Sequence, residues 1–248
     1  MLWYSEPMEH TPVLPEEEVP PHVPSPAPVT AFLRAVHHDK VLAFSRALQY
    51  DEFVRRSPRY ASLLRTRYDE TRLGPAVQLA AVSFPDTLNI LALISEEDPD
   101  TLAVLPIVAR LADASPRLRL RILCDEDDLS PLATLAPDLD LATLIDEWDL
   151  PQFLCFDEDW YQQAQWGPRP GNAEVQVEKW LASHPEYEAL AEDDTVEGRD
   201  RYLALVDRLI AEMRVWYNSG LAASCLDEWL ELLRAWQADE SPAGEGSE

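Results

Sequence analysis

Glycine is scarce in this 248-residue chain, at seven residues, and cysteine scarcer still, at three. So little glycine leaves no loop that brings backbone close around a phosphate, and the P-loop, GxSxG and HExxH patterns are all absent. The cysteines, Cys124, Cys155 and Cys225, are odd in number and nowhere form a CxxC. That argues against a secreted disulfide framework and suits a reducing cytoplasm. Basic side chains are few as well, 20 against 46 acidic, for a formal charge of -26. A surface of that sign repels nucleic acid and anionic membranes, and neither is expected as a partner. The two densest basic stretches, Arg55 to Arg72 and Arg117 to Arg121, are short and interleaved with apolar residues. No apolar run reaches the roughly 18 residues of a membrane span. The opening "MLWYSEPMEHTP" has no basic start followed by an apolar stretch, so no signal peptide is expected. These absences predict a soluble, cytoplasmic protein.

Hydrophobic residues, by contrast, make up 46% of the chain, enough to bury a core. Residues 1–29 are dense in proline and glutamate and read as a flexible leader, with only "LWYS" offering anything to dock; 238–248 form an acidic tail. Residues 30–84 carry apolar side chains at three and four spacing, as in "KVLAFSRALQ", and predict a helical extension. The period then changes. "LNILALIS" (88–95) is a continuous apolar run of the kind found in a strand buried on both faces. "TLAVLPIVARLADA" (101–114) reads as a helix, kinked by Pro106, and "RLRLRILCD" as a second strand. A further helix is expected near "LATLIDEWDL", then a hairpin of "QFLCF" and "WYQQAQWG". Residues 85–190 thus form an α/β domain of β-α-β, helix and β-hairpin. Residues 191–237 predict two helices, turned at "NSG" into an antiparallel pair laid on the sheet.

Several phrases are similar to bacterial thioredoxin-family proteins whose active-site turn runs close to S-E-D-W-C-G-D. They are "RYASLLRTRYDETRL", "ILALISEEDPDTLAVLPIVARLADASPRLRLRIL", "LPQFLCFDEDW", "QWGPRP" (165–170) and "EGRDRYLALVDRLIAEMRVWYNSGL". Together they cover about residues 50 to 235. The resemblance implies a thioredoxin-like fold: a central four-stranded mixed sheet flanked by helices, with extra helices at both ends. It also implies that Pro151 is the cis-proline facing the active-site turn.

At that turn the chain departs from the family. Where the relatives carry Trp-Cys-Gly-Asp, this sequence has Glu97-Asp98-Pro99-Asp100, and the nucleophile is missing. A thioredoxin thiol needs a helix N-terminus to lower its pKa and a second thiol in reach. Cys124 and Cys155 fall on strands two apart, roughly 9.5 Å, beyond the about 7 Å that a disulfide spans. Cys225 lies on an apolar helix stripe. Three buried core thiols are expected; Cys124, at a strand end, is the one candidate for a lone reactive thiol. The acids of "SEEDPDT" and of "CDEDD" suit helix capping or, alternatively, a hard cation, although the EF-hand glycine and distal glutamate are missing. His37-His38 has no sequence partner that makes it a metal site, and Arg169, between two prolines, is expected to pair with a carboxylate. No metal or cofactor is assigned. Trp148 and Trp166 flank the two proline loops, and with Asp98, Pro99, Asp100 and Pro151 they make a candidate partner-binding groove; ordinary packing is the other reading of both tryptophans. The sequence favours a redox-inactive thioredoxin-like protein that binds a protein partner or assists assembly. The alternative is a thiol-disulfide oxidoreductase or peroxide-handling enzyme with a single cysteine outside the motif.

Overall fold

The computed structural model describes residues 27–140 and 148–239. The leader therefore lies outside the described residues except for 27–29, which open the first helix, and the acidic tail lies outside except for 238–239. Four helices precede the sheet: α1 (Ala27–Arg46), α2 (Tyr50–Arg56), α3 (Ala61–Glu70) and α4 (Pro75–Val82). Then come β1 (Leu88–Ile94), α5 (Pro99–Ala112), β2 (Leu118–Cys124), a short α6 (Ser130–Leu135) and the hairpin β3 (Gln152–Phe156) and β4 (Gln162–Trp166). After it lie α7 (Glu174–Ser183), α8 (Glu186–Ala191), α9 (Val196–Trp216) and α10 (Ala222–Asp239).

The strands stand in the order β2-β1-β3-β4, with β1 and β2 parallel and the other pairs antiparallel. β1 is central and buried along its whole length, which is why it reads as an apolar run, broken only by Asn89, whose Nδ2 donates to the Asp157 carbonyl at 3.0 Å. Alternation divides its side chains between two cores. Leu88, Ile90, Ala92 and Ile94 join α5, α9 and α10 in the larger one; Leu91 and Leu93 meet Ala43 and Phe44 of α1 and Leu132 and Leu135 of α6 in the smaller. The mixed four-stranded sheet flanked by helices is the thioredoxin-like arrangement, with added helices at both ends.

Two local expectations change. The helix expected at 141–150 falls largely outside the described residues, residues 148–150 are not helical, and the helix found in this stretch is α6, slightly earlier. α5 holds Pro106 inside it, as expected, and the missing Pro106 N–H leaves the Leu102 carbonyl without its helical donor. The last two helices join through 217–221, where Gly220 has φ 147°, and each packs on α5 instead of lying along the other as an antiparallel pair. Only a residue without Cβ takes that φ without strain.

Candidate functional site

The site is the turn from β1 into α5, at the carboxyl end of the parallel pair. Asp98 is the N-cap of α5: its carboxylate accepts the Thr101 N–H at 2.8 Å, and Pro99 fills the first helical position, where no N–H is needed. Asp-Pro-Asp-Thr thus occupies the helix start at which a thioredoxin thiol would stand. The next acid, Asp100, is buried, 5% exposed.

The partner of Asp100 arrives from the far end of the hairpin. The Leu150–Pro151 and Gly167–Pro168 peptides are both cis. Gly167, at φ 136°, lies so close to Pro151 that a Cβ would stand 2.2 Å from the Pro151 carbonyl oxygen. The two proline loops are therefore in contact. Two residues on, Arg169 donates from Nε and Nη2 to Asp100 Oδ2 at 2.9 and 2.7 Å and from Nη1 to Glu174 Oε2 at 2.7 Å. This gives Arg169 the carboxylate partners expected of it. Asp100 Oδ1 and the Thr101 hydroxyl remain buried without a hydrogen bond.

Two carboxyl groups at one helix start oppose each other's ionisation. Part of Asp98 reaches solvent, yet the protein packed around it pushes its pKa up to about 7, first by burial and then through Asp100; the Thr101 N–H and Arg169 offset only part of this. Burial likewise raises Asp100, against the opposing pull of Arg169. Within electrostatic reach of both aspartates is Tyr187 of α8, whose ring centroid lies 5.4 Å from that of Tyr202 of α9. Burial raises the Tyr187 phenol, helped by its hydrogen bond to Tyr202 and by the two aspartates. Beyond them, Glu97 is bridged by Arg59 at 3.4 Å and by Arg199 at 3.9 Å. Residues from the N-terminal extension and from α9 therefore reach the acidic turn.

The candidate residues do not line one groove. Pro151 and Asp100 are buried, and Asp98 and Pro99 are half-buried at the turn. Trp148 packs on the smaller core, on the α1 and α6 side. Trp166 is on the opposite face, where its Nε1 donates to Glu228 Oε2 at 2.7 Å and its ring meets Phe153 and Trp229 at 5.6 and 5.7 Å. The sheet separates the two tryptophans, and both serve packing. Sequence reasoning passed over Glu174, Tyr187, Tyr202 and Glu228 as site neighbours, and no local spacing marks any of them.

The thiols are buried and apart. Cys124 pairs with Ile94 and Cys155 with Ile90, on opposite flanks of β1 and four residues out of step. Their Cα atoms are then roughly 16 Å apart, and all three cysteines are free. Burial pushes Cys124 up to about 12 despite the nearby Arg56, Cys155 to about 12, and Cys225 well above its usual value. Among the described residues no group of three or more His, Cys, Asp or Glu is placed to hold a metal ion. His37 and His38 are exposed on α1, His37 edge-on to Trp160 at 6.4 Å. Among those residues, too, no helix is long and apolar enough to cross a membrane.

A thioredoxin-type sheet and helix-capping turn, with proline loops beside it, define the class. The family model described as Thioredoxin matches residues 47–181, more than half of the chain, and the protein belongs to that family. No curated protein matches. Among solved structures the chain is similar to an HIV epitope-scaffold, at 14% identity and a TM-score of 0.48, over 79% of this chain and 97% of that one. It is also similar to a protein of unknown function from Pseudomonas aeruginosa, at 15% identity and a TM-score of 0.44, over 69% and 92% of the two chains.

Proposed function

We propose that the protein is a thioredoxin-family member that has left thiol chemistry and works by binding another protein. One observation carries this reading. The helix start that would hold the nucleophile holds Asp98 and Asp100 instead, and the second is tied into the fold by Arg169. A thiolate there would be activated by the helix dipole. A carboxylate is no substitute, because it cannot form the mixed disulfide on which exchange depends. The buried thiols support the same reading, being protonated at neutral pH and out of each other's reach.

The test is titration of the native protein with Ellman's reagent, followed by intact mass after mild peroxide treatment, beside a dithiothreitol-driven insulin reduction assay. No thiol should react until the chain unfolds, and insulin reduction should match the reagent alone. A thiol that reacts within minutes in the native state and takes up glutathione as a mixed disulfide overturns the proposal. Cys124 is the residue such a result would point to.

A further inference from the structure

The edge of the sheet at β2 is left half-covered, and the residues around the gap are specific about what fits it. Leu48 exchanges two backbone hydrogen bonds of 2.8 Å with Ile122, starting an antiparallel strand on this edge. The chain then leaves at once: the Gln49 N–H turns to the Glu52 carboxylate at 2.8 Å, and α2 begins at Tyr50. Because Ile122 faces outward, and the Arg117 carbonyl faces inward to the Leu88 N–H, the even-numbered residues of β2 present their backbone to the edge. The Leu120 N–H and Leu118 carbonyl therefore point outward, with no hydrogen bond to a described residue. A cavity of about 840 Å³ opens in front of them, between β2, α3 and the end of α5.

The two sides of this slot differ. On the α5 side lie Leu118, Leu120, Ala109, Ala112 and the Tyr68 ring, which belong to or pack on the larger core. On the α1 side the strand carries Arg119, exposed, and Arg121, whose guanidinium lies 5.6 Å over the Phe44 ring. Neither arginine makes an ion pair with a described residue, in a chain whose acids outnumber its bases 46 to 20. Asp51, Arg65 and Asp69 stand on the helical wall opposite β2, and Asp113 is engaged by the Tyr68 hydroxyl.

We infer that this slot takes an extended peptide of another protein, added as an antiparallel strand to Leu118–Leu120, with carboxylates alternating with aliphatic side chains. The aliphatic residues settle on the α5 side and the carboxylates meet Arg119 and Arg121, while the wall opposite carries two aspartates to one arginine. Strand addition of this kind draws affinity from backbone bonds and selectivity from alternate side chains. The net negative charge does not prevent it at physiological salt, where the screening length is about 8 Å and charges far from the slot are largely screened. The inference rests on the protein-binding reading, but the two fail separately. A reactive thiol overturns that reading, whereas the peptide experiment decides only this surface.

The probe is a fluorescein-labelled Glu-Val-Glu-Val-Glu-Val peptide, followed by anisotropy against the full chain at 0.15 M salt. It should bind at least tenfold more tightly than the block isomer Glu-Glu-Glu-Val-Val-Val. Arg119→Glu should weaken it tenfold or more, and Lys-Val-Lys-Val-Lys-Val should recover binding to that variant. N-methylation of alternate amides in the peptide should abolish binding with the protein untouched. In NMR exchange the Leu120 amide should exchange freely in the peptide-free chain and slow at least tenfold at saturation. Equal affinity for the two isomers, indifference to Arg119→Glu or to N-methylation, or no binding at all overturns the inference. So does a Leu120 amide already protected without peptide, since the chain's own leader or a second copy would then fill the slot.

Discussion

Replacing Asp98 with asparagine separates the capping role of this side chain from its charge. Asparagine caps a helix as well as aspartate, so the bond to the Thr101 N–H survives Asp98→Asn. Only the ionisable group is lost. In the folded chain Asp98 has its pKa pushed up to about 7, while in the unfolded chain it titrates near the ordinary 3.8. The folded state thus holds a proton here that the unfolded state releases. Stability from this residue is present below pH 4 and lost as pH rises toward 7. Three pH units correspond to about 4 kcal/mol at most. Wild type and Asp98→Asn should be equally stable at pH 4, and the variant should gain steadily, by a few kcal/mol at pH 7.5 and level beyond. Urea unfolding followed by tryptophan fluorescence, at half-unit steps from pH 4 to 8.5, reads the difference directly. Forty-five other acids shape the absolute curve of either protein, and subtraction removes them. A difference that stays within about 0.5 kcal/mol over that range, or favours wild type at high pH, refutes the reasoning that the turn strains under its own charge.

Removing one partner of the Arg169–Asp100 pair should be costly, because both side chains are largely buried, at 15% and 8% exposure. Arg169→Met should lose about 3 to 5 kcal/mol, and Asp100→Asn added to it should restore part of that loss in the same urea assay. Gly167→Ala places a methyl 2.2 Å from the Pro151 carbonyl at a φ of 136°. It should destabilise by upwards of about 1 to 3 kcal/mol, with the midpoint of unfolding reporting it; a neutral result would mean that the proline loops are not locked together. Trp229→Ala empties a site closed to solvent between Phe153 and Trp166. A cost of about 3 to 5 kcal/mol is expected from calorimetry, and a cost below 1 would show that this core closes over the gap.

Much of the architecture was legible along the chain. The six apolar residues among the seven of β1 announce a strand covered on both faces, and the change to a period of three and four after Asp98 announces α5. Arg169 invited a carboxylate partner by its place between two prolines. The loss of the cysteine from the turn was also plain, because a catalytic turn is a local motif. The last two helices were legible as helices. Their mutual packing was not, because the chain turns at Gly220 and the two helices pack on α5, the second also on α4, instead of on each other.

What the amino-acid order determined by itself is therefore local: strands, helix starts, the acidic turn and the absence of paired thiols. These depend on side-chain period and on residues within a few positions of one another. Tertiary structure decided the rest. It chose Asp100 as the partner of Arg169, 69 residues away, and sent Trp148 and Trp166 to opposite faces of the sheet. It also brought Tyr187 within electrostatic reach of Asp98 and left the β2 edge open where the chain turns into α2. Burial, and hence the charge state of Asp98, depends on which distant segments exclude water from it, and a linear sequence carries no record of that neighbourhood.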